Sequence, residues 1–258
     1  MTDREPDRCS APYRVRFDEG APDGLIRTSV LLRYTQDLAG YHSTSRGFGR
    51  SWYAERGITW LVRAAELAVV GPIPVGTELV GTTVVMGWRR VWARRRTEFR
   101  DPDGTILAWV HIDWVLLDDR GSPTRIPPEF DAVFRASPAT FGLARVDLGR
   151  VPPEPARSDF TVRPHELDPM DHVNNAVYAD WLDEIVLGAG GETAVRSIPR
   201  SIRLEYARAA EPGTMLAGEA WPDGRGWACR VSGSDGADLL RARLGPLDPS
   251  DAGVGDTG

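Results

Sequence analysis

The chain has 258 residues, 41% of them apolar, enough for a sizeable core that needs no disulfide support. Its two cysteines, Cys9 and Cys229, are too few and too far apart for a disulfide framework or a zinc site. All 31 basic residues are arginine and the net charge is −6, which disfavours nonspecific nucleic-acid binding. No run approaches the ~20 apolar residues of a membrane span. The charged segment 1–10 has no signal-peptide core. The expectation is therefore a cytoplasmic protein that partners neither membrane nor nucleic acid.

Segments 1–12 and 248–258, rich in Asp, Gly, Ser and Pro, read as disordered tails. The rest reads as two similar passes. In the first, 13–17 is a short strand by alternation. Segment 30–41 carries Leu31, Tyr34, Leu38 and Tyr41 at helical spacing. Long strands rich in Val, Ile, Thr and Trp follow at 59–70, 78–88, 91–101 and 105–118, broken by turn residues such as Asp101-Pro102-Asp103-Gly104. A Pro-rich linker, 138–157, leads into the second pass. There a short strand at 159–162 precedes a helix at 175–187, with Val177, Trp181 and Leu182 turned inward. Strands at 201–206, 215–221, 225–232 and 238–243 complete it. The reading is α+β: twice over, a central helix wrapped by an antiparallel run, in units 13–137 and 158–247.

The most informative segment is Asp168-Pro169-Met170-Asp171-His172-Val173-Asn174-Asn175, followed by Tyr178, Trp181 and Glu184. It lies between a strand and a helix. An Asp, three residues, His, Val and two Asn resemble the signature of 4-hydroxybenzoyl-CoA-type hotdog thioesterases. The same run, with the later aromatic, Trp and Glu, resembles the second half of acyl-ACP thioesterases. Tyr41-His42, the Gly47-Phe48-Gly49 turn, Ile58–Val62, Ile126–Glu129 and Leu204–Tyr206 echo other parts of those enzymes. The resemblance covers roughly 13–244 and implies a double hotdog, two tandem hotdog halves. The first pass lacks the Asp…His-Val-Asn-Asn run, which implies one active site per chain. Two positions depart from the plant members: Met170 stands where they carry Asn, and Ala209-Ala210 where they carry Glu-Cys.

A thioester carbonyl needs a base or nucleophile and donors for its developing oxyanion. Asp168 can attack or activate water, and His172 can orient the thioester or exchange a proton. Helix-start N–H groups near Val173–Asn175 can hold the carbonyl. Asn174 and Asn175 suit capping and substrate contact. Tyr178, Glu184 and His42 are candidates to face the substrate, His42 because it occupies the equivalent turn of the first pass. Within the run Arg89–Arg100, Arg90, Arg94 and Arg96 are candidates to dock an acidic carrier or a phosphopantetheine phosphate. A solvated strand face is the alternative. No cofactor or metal is expected. The expected partner is an acyl carrier protein or acyl-CoA, and the assembly a monomer or homodimer. Three functions stay open at this stage. They are hydrolysis of an acyl thioester in fatty-acid or polyketide-type secondary metabolism, amine addition (glycine, for example) to an α,β-unsaturated acyl thioester before release, and enoyl-thioester hydration or dehydration. The intact Asp168…His172 run argues against a noncatalytic acyl-binding module.

Overall fold

The computed structural model of the chain describes residues 7–134, the backbone of 137–138, and residues 145–248. Parts of both expected tails and of the linker lie outside these. In the first half, β1 (Arg8–Arg14) precedes α1 (Thr28–Ser45) and α2 (Arg50–Glu55). Then come β2 (Ile58–Val69), β3 (Glu78–Arg89), β4 (Trp92–Arg100), β5 (Ile106–Asp118), α3 (Glu129–Phe134) and the two-residue β6 (Ser137–Pro138). The second half has β7 (Ala156–Thr161), α4 (Val177–Gly188), α5 (Glu192–Arg196), β8 (Arg200–Tyr206), β9 (Met215–Asp223), β10 (Gly226–Ser232) and β11 (Asp238–Pro246).

One sheet runs through both halves in the order β1-β3-β4-β5-β2-β8-β11-β10-β9-β7, antiparallel throughout, with β6 alone pairing parallel to β3. Counted within its own half, each set of five has the same spatial order, first-third-fourth-fifth-second. The halves meet where β2 pairs β8, from Ala64 opposite Glu205 to Val69 opposite Arg200. The sheet wraps α1 and α4. One apolar core takes Leu31, Leu32, Leu67 and Ile112 from the first half and Trp181, Leu182, Ile202 and Leu240 from the second.

Helix α1 buries Leu31, Tyr34, Thr35, Leu38 and His42, a stripe of 3.6-residue period. Tyr41, expected on that stripe, is 60% exposed; the rotation of the helix puts His42 inside instead. Helix α4 lies close on β9, where a Cβ at Gly218 would collide with the Ile185 side chain. Residues 8–12 are not a tail. They belong to β1, which pairs with β3 from Arg8 opposite Val84 to Arg14 opposite Glu78, and so satisfies their backbone groups. Residues 156 and 157, assigned to the linker, open β7 against β9. The described end of the linker crosses the strands: Val146 N–H donates to Glu205 (2.9 Å) and Arg243 to the Asp147 carbonyl (2.6 Å). No described helix is long and apolar enough to cross a membrane.

Candidate active site

The seam between halves is not closed along its whole length. Strand β2 carries a bulge at Arg63, where its pairing with β5 shifts by one residue. Only from Ala64 onward does β2 pair with β8. A bulged residue bends its strand away from its neighbour. Here it leaves a slot between 60–63 and the exit of β8, spanned by Arg63 Nη1 donating to the Ala207 carbonyl at 2.9 Å. In that slot lies a cavity of about 350 Å³ lined by Trp60, Arg63, Trp114, Asp168, His172 and Asn175, with Tyr178, Tyr206 and Ala209 behind.

Asp168 sits in a tight turn that the sequence builds from local hydrogen bonds. Its N–H donates to the His172 carbonyl (2.8 Å), and Asp171, at φ 60°, reverses the chain between them. Asp168 Oδ1 accepts from the N–H of Met170 (2.8 Å) and of His172 (3.4 Å). Oδ2 has no protein partner among the described residues, so one carboxylate oxygen stays available to a substrate or water. His172 is exposed at the rim, and its bonds to Asp168 are made by its backbone. Asn174 closes a turn just before α4, its Oδ1 accepting from Ala176 N–H at 2.9 Å. Asn174 N–H is taken by the Glu166 carbonyl. Asn175 N–H takes no partner among the described residues and lies in the cavity wall, where it can face a carbonyl oxygen. Tyr206 donates to the Asn175 carbonyl (3.0 Å) and Tyr178 accepts from Ala210 N–H (3.0 Å). Burial raises the Tyr178 hydroxyl to about 12 and keeps it neutral.

Of the sequence candidates, Asp168, His172, Asn175 and Tyr178 share this cavity, and Asn174 stands behind its wall. Glu184 does not join them. It is exposed on the outward side of α4, whose inward positions are Tyr178, Trp181, Leu182 and Ile185. His42 is also elsewhere. It is fully buried between Asp7 (3.0 Å) and Arg95 (2.9 Å), edge-on to Phe134. Burial and the Arg95 guanidinium push its pKa down. The docking candidates divide in the same way. Arg94 is clamped on buried Asp113 through two bonds of 2.6 and 2.7 Å. Arg96 is buried against Glu98 and His111 and lies over Trp109. Both are held in the fold and are not presented to a partner; of the three, Arg90 in the β3–β4 turn is exposed.

A second, more apolar cavity of about 220 Å³ lies in the first half. Phe48, Tyr53, Trp88, Phe130 and Phe134 line it, contributed by α2, α3, β3 and the turn before α2. Gln36, Trp60 and Trp114 belong to the walls of both cavities. The sequence reading did not single out these three. The available signal was Gln36, a polar residue in line with Leu32 and Ala39 on α1.

Two helices wrapped by one long sheet, with the Asp168 turn at the seam of the halves, define a double-hotdog protein. Family models support this independently. The acyl-ACP thioesterase N-terminal domain matches residues 7–134 and the acyl-ACP thioesterase C-terminal domain residues 151–224. The chain belongs to the acyl-ACP thioesterase family and is a thioester hydrolase. Solved structures agree on the fold. A putative oleoyl thioesterase from Lactobacillus plantarum superposes with a TM-score of 0.84 at 18% identity, over 94% of this chain and 98% of that one. An acyl-ACP thioesterase from Bacteroides thetaiotaomicron gives 0.79 at 14%, over 92% and 96%. A 12:0-ACP thioesterase from Umbellularia californica gives 0.76 at 23%, over 92% and 96%. No curated protein matches the chain by sequence.

Proposed function

We propose that this protein releases a carboxylic acid from an acyl group carried on an acyl carrier protein, with Asp168 as the general base. The observation that carries the reading is the free Oδ2 of Asp168 in the seam cavity, close to the aromatic cavity through shared walls. The thioester carbonyl sits against Asn175 N–H, and the acyl chain runs past Trp60 and Trp114 into the aromatic cavity. Asp168 takes a proton from water as the water oxygen attacks the carbonyl carbon. The C–S bond then breaks, and the departing sulfur receives that proton. His172, at the rim, orients the thioester. Arg63 and Arg208 also line this cavity and suit the phosphate of the pantetheine arm. Catalysis by Asp168 is compatible with the Met170, Ala209 and Ala210 departures, because position 170 holds the carboxylate through its backbone N–H, whatever its side chain, and Ala209 and Ala210 make no bond to it.

The test is Asp168→Asn, which keeps the size and the acceptor for Met170 N–H but removes the base. Turnover of acyl carrier protein should fall about 10²–10⁴-fold, the usual contribution of a general base, with thioester binding little changed. Near wild-type turnover would remove Asp168 from the mechanism.

A further inference from the structure

Two residues that wall both cavities carry hydrogen-bond donors that no described residue satisfies. Nε2 of Gln36 and the indole Nε1 of Trp114 are buried and without partner among the described residues. They come from opposite sides, Gln36 from α1 and Trp114 from β5, and both residues wall both cavities. Trp60, the third shared residue, is different: its indole N–H donates to the Tyr53 hydroxyl at 3.2 Å. The orientation of Gln36 follows from its neighbours. Ala176 N–H occupies Asn174 Oδ1, which turns Asn174 Nδ2 toward Gln36 Oε1 at 3.3 Å. The end of Gln36 left over is therefore its NH₂ group. Buried donors without acceptors are uncommon in folded proteins, and each is costly unless a ligand or water meets it.

We infer that these two donors read an oxygen on the acyl chain next to the thioester, so that the preferred substrates are 3-hydroxy- or 3-oxoacyl groups and not saturated ones. The inference rests on the hydrolase reading above and extends it to substrate class. With the carbonyl at Asn175 and the chain directed into the aromatic cavity, the first carbons beyond the carbonyl would pass between Gln36 and Trp114, the walls common to both cavities. A saturated chain puts methylenes there and leaves both donors unmet. A chain with a hydroxyl or ketone at the third carbon brings an acceptor to them. The aromatic cavity beyond, with little polar lining, takes the unsubstituted remainder.

The experiment compares pantetheine thioesters of octanoate, 3-hydroxyoctanoate and 3-oxooctanoate in wild type, Trp114→Phe and Gln36→Leu. The readout is the ratio of kcat/KM for each oxygenated substrate to that for octanoate. It is internal to each variant, so partial loss of folded protein cancels, and comparing variants removes the intrinsic reactivity of each thioester. Each substitution should lower the ratio about 10-fold, the worth of one buried hydrogen bond. Ratios unchanged in both variants would overturn the inference. So would a loss shared equally by all three substrates, which would assign the donors to the thioester carbonyl. Binding of the free acids separates the two readings. Wild type should bind 3-hydroxyoctanoate more tightly than octanoate, and Trp114→Phe should bind them alike. That result upholds the inference even if no thioester is cleaved, in which case only the hydrolase reading falls. Equal binding in wild type sinks the inference and leaves the hydrolase reading standing.

Discussion

At the scale of single residues, what decides a role is which oxygen or nitrogen is left over once the fold has taken its share. Asp168 spends Oδ1 on its own turn and keeps Oδ2. Arg94 spends its guanidinium on Asp113. Replacing Arg94 with Ala would strand a buried carboxylate, and thermal or denaturant unfolding should report a loss of about 3 kcal/mol. Arg90→Glu, on an exposed turn, should change stability by less than about 0.5 kcal/mol. Equal destabilisation by the two would contradict the clamp. The turn at Asp168 was legible in the sequence because its bonds are local, within five residues. The fates of Arg94, Arg96 and His42 were not. They depend on Asp113, Glu98 and Asp7, brought from 2 to 35 residues away in the chain, and on which face of the sheet is covered.

At the scale of elements, alternation and turn residues located every long strand, with boundaries within a few residues. Residues 8–12 of β1 and the start of β7 were missed because edge strands carry polar, half-exposed residues that read as tail and linker. The bulge at Arg63 left no mark in composition, yet it opens the slot on which the site depends. Strand β5 also carries a pH-sensitive element. His111 accepts from Arg96 at 3.3 Å, and burial, then Arg96 and Arg94, hold its pKa down at about 4. A histidine depressed from its ordinary ~6.5 contributes stability that is present above pH ~6.5 and lost as pH falls toward 4. Unfolding free energy should drop by about 2 kcal/mol between pH 6.5 and 4.5 from this group. In His111→Gln the slope over that window should flatten, and an unchanged slope would assign the acid loss to other groups.

At the scale of the whole molecule, the two halves are joined by six residue pairs of the β2–β8 ladder, by the Arg33–Asp180 ion pair between α1 and α4 (3.0 Å), and by one common core. Unfolding should therefore be a single transition by circular dichroism and by tryptophan fluorescence. Residues 7–134 expressed alone should expose the β2 edge and self-associate or fail to fold; a stable monomeric half would show the shared core to be dispensable.

The repeated strand order has a consequence for how such a molecule can change over generations. In a pair of identical subunits every substitution appears twice, at both sites at once, and an improvement in one role is tied to damage in the other. Once the two copies sit in a single chain, that bond is cut. One copy keeps the Asp168 turn, while the other, free of the duty to repeat it, can vary Phe48, Trp88, Phe130 or Phe134, which line its own cavity. Those four positions can thus change while the Asp168 turn, on the other copy, stays as it is.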